Sequence, residues 1–183
     1  MIAIRTPLGT LILALFLLLT TSSCSDSNGE EILVFTAASL TDVMEQLGEE
    51  YAKKEGVKVS FNVGGSTAIA QQIIRGAPAD GIISAGPGPM DTLEEQGLLI
   101  SDTRFNLLTN ALVLVSSRPV AESVEITSLA DLADSWSNAT IAIANPDLAP
   151  AGRYARETLE NLGLWEDLEP RIVPSANVRI ALG

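Results

Sequence analysis

From residue 31 onward, short and almost continuously apolar runs alternate with longer amphipathic ones. EILVFTA (31–37), VKVSFNV (57–63), GIISA (81–85), ALVLVSS (111–117), TIAIAN (140–145) and RIVPS (171–175) are rich in β-branched residues. They predict strands of a sheet covered on both faces. Between the first two, Leu40, Val43, Met44, Leu47 and Tyr51 recur at helical spacing, and Gly56 supplies a stop. Ile69, Gln72 and Ile73 mark a second helix that ends at Gly76, while MDTLEEQG (90–97), SLADLAD (128–134) and PAGRYARETLENLG (150–163) predict three more. GPGPM (86–90), glycine-rich and proline-broken, reads as a turn. Strands alternating with helices predict the α/β class with mainly parallel sheets.

Ahead of this pattern, Arg5 is followed by the apolar run LILALFLLL (11–19) and then by TTSSC. A run that short, followed by small residues, predicts an export signal over residues 1–23 rather than a membrane span. Cys24 is the sole cysteine and stands directly after the small residues, as in the lipobox of bacterial lipoproteins, although Thr21 replaces the leucine of that pattern. Lipidation of Cys24 is the expectation, with residues 24–30 as a polar tether. Loss of residues 1–23 removes one basic group and no acid, leaving ten basic and 23 acidic groups, a charge of −13. That balance argues against nucleic acid as a partner. With one cysteine and no histidine, the chain has neither a disulfide framework nor an ordinary zinc ligand set.

In parallel α/β sheets, ligands sit at the carboxyl ends of strands, where helices begin. Three such joints consist of small or hydroxylated residues: TAASLTD (36–42), NVGGSTA (62–68) and ANPDLAPAG (144–152). Ser39 and Asp42 fit a capping box with Ser39 as N-cap. Gly64 and Gly65 ahead of Ser66 and Thr67 let a ligand approach the backbone, and a tight turn explains the same glycines. A nucleophilic Ser66 needs a base. Histidine being absent, that leaves a Ser-Lys pair drawn from Lys53, Lys54 and Lys58, all in the polar stretch KKEGVK (53–58). No joint matches a phosphate-binding glycine motif. The acid pairs at 49/50 and 94/95 read as exposed helix faces.

AASLTDVMEQL, GGSTAIAQQI, GAPADGIISAG, PAGRYARETLENLGLW and ANVRIAL, in that order and spacing, together resemble the periplasmic molybdate-binding proteins of ABC importers over residues 32–183. The resemblance implies a type II periplasmic-binding fold, with a first α/β lobe over residues 31–109 and a second, incomplete one over residues 110–183. It implies a monomer that catalyses no reaction, takes no cofactor, binds molybdate or tungstate outside the cytoplasm and delivers it to a membrane permease. By the same resemblance the ligand-binding positions are Ser39, Ser66, Ala151 and Val178, the serines through hydroxyl and amide and the other two through backbone amides. The chain departs from the family pattern at Gly86, Pro89, Asn145 and Leu148. The family also continues beyond the position of Gly183, so a truncated chain is expected. A sulfate receptor and a secreted serine hydrolase are the alternative readings.

Overall fold

The computed structural model describes residues 31–116, 127–134 and 140–183. The expected export signal, Cys24 and the tether lie outside the described residues.

Strand β1 (Glu31–Ala37) runs into a 3-10 turn (Ala38–Leu40) and helix α1 (Thr41–Glu55), followed by β2 (Lys58–Gly64), α2 (Ser66–Ile74), β3 (Gly81–Ile83) and α3 (Pro87–Glu95). β1 is central in the order β2-β1-β3, and both pairings are parallel. The chain leaves β1 toward one side and returns to the other, so strand order reverses at the carboxyl end of β1. A cleft opens at such a reversal. α1 stops where the periodicity predicts, with Gly56 left-handed at φ 73° and its amide on the Ala52 carbonyl (3.0 Å).

The later residues form α4 (Asp131–Asp134), β4 (Ile141–Ala144), α5 (Pro150–Asn161), α6 (Trp165–Leu168), a 3-10 turn (Glu169–Arg171), β5 (Ile172–Ser175) and α7 (Val178–Leu182). β4 and β5 pair in parallel. Leu132, Leu159 and Leu168 form the core here, with Leu129, Ile141, Leu164, Trp165 and Ile172 packed around them. Around the first sheet, Phe35 of β1, Ile69 of α2 and Leu93 of α3 are buried. Burial of each such side chain contributes about 1.5–3 kcal/mol.

Four expectations fail. Ser39 does not cap α1: the chain tightens into the 3-10 turn, Leu40 takes the cap position without a side-chain bond, and Thr41 Oγ1 donates to the Ala38 carbonyl (2.8 Å). GPGPM is a helix start rather than a turn, because Pro87 at the first helical position has its φ already set and no amide to satisfy. Residues 111–116 of the expected strand ALVLVSS form neither strand nor helix, and Leu112, Val113, Leu114 and Val115 are exposed. An apolar run becomes a strand only beside backbone it can pair with. The sheet faces are also less covered than expected: Ile32, Val34, Val59 and Phe61 line an open groove beside Met44, Leu47 and Tyr51 of α1. Among the described residues, α1 shields that face only in part.

Candidate functional site

Ser39, Ser66, Ala151 and Val178, far apart in sequence, line one cavity together with Ala37, Ala38, Gly64, Gly65, Ala85, Ala149, Pro150 and Asn177. Among the described residues, no charged side chain lines it. The cavity volume is about 20 Å³. A single water needs roughly 10–15 Å³. The space is on the scale of a compact ion.

Each wall is the start of a helix or helical turn at a strand's carboxyl end, and tracing the amides shows what faces inward. A helix leaves its first amides without intrahelical acceptors. In α7, Asn177 Oδ1 accepts the amides of Arg179 and Ile180 (both 3.0 Å) and the Asn177 carbonyl accepts that of Ala181 (3.1 Å). The amide that remains is Val178's. In α5 the first residue, Pro150, has no N–H, and the amides of Gly152 and Arg153 turn back to the Ala149 carbonyl (3.1 and 3.3 Å). The amide that remains is Ala151's. In α2 the Ala68 amide crosses to the Leu148 carbonyl (3.2 Å) and the Ile69 amide reaches Gly65 (3.0 Å), leaving those of Ser66 and Thr67. Neither α2 nor α5 has a side-chain cap. The starts of α2, α5 and α7 thus adjoin one small space, each with an amide that has no acceptor among the described residues.

Ser66 adds a hydroxyl under tight control. The side chain is 1% exposed, and its Oγ accepts the Ala85 amide (2.9 Å). With a lone pair committed, the O–H is directed elsewhere, and among the described residues it finds no acceptor. Ser39 occupies the second position of the 3-10 turn with its side chain exposed. Ala85 and Asn177 were not singled out from the sequence, although both serve the site: one orients Ser66, and the other consumes two amides of α7 and leaves a third. An Asn immediately before Val178 was the available signal for the cap.

Shifted titrations lie away from the cavity. Hydrogen bonds from Lys58 and Ser60 hold the Glu31 carboxyl below the usual range. The amides of Ser128 and Thr127 do the same for Asp131. The three lysines are engaged with acids, Lys53 with Glu49 (3.7 Å), Lys54 with Glu55 (2.9 Å) and Lys58 with Glu31 (2.8 Å), and none lines the cavity beside Ser66. This removes the partner that a Ser-Lys nucleophile needs. Among the described residues no cluster of His, Cys, Asp and Glu could hold a metal ion, and no helix is long and apolar enough to cross a membrane.

Molybdate-binding protein ModA of Escherichia coli (strain K12) is 37% identical over 153 residues, covering 83% of this chain and 60% of the relative. ModA of Haemophilus influenzae is 35% identical over 158 residues, again 83% of this chain and 60% of the relative. The solved periplasmic molybdate-binding protein of Azotobacter vinelandii matches with a TM-score of 0.63 at 28% identity, over 82% of this chain and 64% of that structure. The chain therefore spans about 60% of the length of the curated relatives it matches. It has the periplasmic-binding-protein fold. The family profile described as bacterial extracellular solute-binding protein covers residues 32–182, and this protein belongs to that family.

Proposed function

We propose that this protein captures molybdate or tungstate outside the cytoplasm and delivers it to the permease of an ABC importer, acting as a monomer and catalysing no reaction. Residues 31–109 form the first lobe and residues 110–183 belong to the second; the anion lies between them. The observation that carries the reading is the convergence of the Ser66 hydroxyl and the starts of α2, α5 and α7 on a cavity with no charged wall. A fully deprotonated tetrahedral dianion needs donors only, and amide and hydroxyl dipoles supply them without a compensating Arg or Lys. The ligand donors are Ser39 and Ser66 through hydroxyl and amide, and Ala151 and Val178 through their amides. That the related proteins are molybdate-binding supports molybdate over sulfate, which the same donors would also accept.

Calorimetric titration of the full chain with molybdate, tungstate, sulfate and phosphate tests this. Molybdate and tungstate should bind tightest. Phosphate keeps a proton at neutral pH, finds no carboxylate to accept it and should bind worst. A preference for sulfate over molybdate would move the protein to the alternative receptor class. Ser66→Ala removes a charge-assisted donor worth about 1.5–3 kcal/mol, or roughly 10- to 150-fold in affinity. It should weaken binding far more than Ser101→Ala in an exposed turn. Equal affinities of these two variants would take Ser66 out of the site.

The export signal over residues 1–23 and lipidation at Cys24 belong to the same reading. Cys24→Ala is expected to move the protein from the membrane fraction into the soluble extracytoplasmic fraction. A wild-type protein already soluble would refute the anchor.

A further inference from the structure

Arg179 and Asp42 stand 137 residues apart in sequence, and Arg179 Nη2 donates to both oxygens of the Asp42 carboxylate (2.7 and 2.9 Å). The pair spans the two halves of the site: Asp42 is the second residue of α1, and Arg179 is the second residue of α7. Both residues neighbour cavity walls. Asp42 lies three residues beyond Ser39, and Arg179 follows Val178 directly.

This placement sets the backbone positions that carry two charges within about one helical turn, roughly 5 Å, of amides assigned above to an anion. Alone, the Asp42 carboxylate would oppose a dianion in the cavity. Alone, the Arg179 guanidinium would attract it while opposing the positive end of its own helix. Paired, they cancel. Both side chains remain well exposed, 48% for Arg179 and 72% for Asp42, so the pair adds little to folding.

We propose that Arg179 is a charge-masking residue for oxyanion binding: it neutralises the Asp42 carboxylate at the rim of the cavity where α1 and α7 meet. The inference deepens the oxyanion reading and rests on it. Its signature is an order among variants that loss of a mechanical tie would not produce. Arg179→Gln exposes the carboxylate to the bound dianion and should weaken molybdate binding about 3- to 10-fold at low salt, the size of a screened repulsion across roughly 8–10 Å. Asp42→Asn leaves an unopposed cation and should bind as well as wild type or better. The double variant Asp42→Asn/Arg179→Gln has no net charge at the rim and should return to within about 2-fold of wild type. Raising the salt concentration should shrink the Arg179→Gln defect, because the repulsion is screened.

The experiment is calorimetric titration of molybdate into the full chain and these three variants at low and high salt. Recovery in the double variant, with a defect confined to Arg179→Gln, is the expected result. All three variants weakened alike would make the pair a mechanical tie and overturn the masking role, while leaving the oxyanion reading intact. A wild-type chain that binds none of molybdate, tungstate and sulfate would overturn that reading and this inference with it.

Discussion

Gly65→Ala is expected to lower molybdate affinity by two to four decades and to lower the ligand-free protein's melting temperature by a few degrees. Gly65 has φ −64° and ψ 133°, a conformation open to any residue, so alanine imposes no backbone strain on the first lobe. Its Cβ would instead overlap the carbonyl oxygen of Leu148 and come to 3.1 Å from Ala149 Cβ. Both belong to the loop that leads into α5. Backbone atoms cannot rotate aside as the end of a flexible side chain can. The two halves of the site must therefore separate, which also breaks the bond from the Ala68 amide to Leu148. The Ala151 and Val178 amides would then withdraw from the proposed anion position. At about 1.5–3 kcal/mol for each charge-assisted donor, the loss is about 3–6 kcal/mol, or roughly 100- to 10,000-fold. Calorimetry and thermal melting of wild type and variant make the comparison. An affinity within threefold of wild type would mean that the site does not depend on this close approach.

Gly152→Ala should reduce stability and affinity together. Alanine in a helix is favoured over glycine by about 0.8–1.0 kcal/mol, which alone would predict a gain. Here the added Cβ would overlap the Ala144 carbonyl oxygen at the end of β4 and lie 2.7 Å from its carbon and 2.8 Å from that of Asn145. Overpacking of this kind costs about 1–3 kcal/mol even where side chains can adjust, and more against backbone. The steric term wins. The net loss should lower the melting temperature by about 2–4 °C per kcal/mol. Because α5 must move off β4 to relieve the overlap, the Ala151 amide moves with it, adding a loss of roughly 10-fold or more in molybdate affinity. Gly81→Ala is the matched control, since its Cβ would meet nothing within 4 Å. Equal melting temperatures for the two variants would show that the start of α5 has slack.

Local chemistry was legible in the sequence to the extent that it was local. The stop of α1 at Gly56 could be read because a left-handed residue at a helix end is a property of the residue itself. The parallel class followed from alternation of apolar runs with amphipathic ones. The capping box at Ser39 and Asp42 was misread because its pattern concerns four residues only. The structure gave Asp42 a partner at Arg179, at a separation no local pattern covers. ALVLVSS was misread for a related reason: β-branched residues favour extension, but pairing needs a neighbour, and residues 103–116 form neither strand nor helix.

By itself the sequence determined which stretches are apolar, where helices must stop, that histidine and a second cysteine are absent, and that small residues occupy the joints after β1, β2 and β4. A resemblance of motifs also pointed to Ser39, Ser66, Ala151 and Val178. Only the tertiary structure brought these positions around one cavity. It set the Ala85 amide on the Ser66 oxygen, withheld all but Val178's amide at α7 through Asn177, and placed Asp42 against Arg179. The reason is that propensity and capping act over a few residues along the chain, whereas a cavity walled by helix starts depends on where several of them meet in space. That meeting is decided by strand order and by which backbones can approach closely.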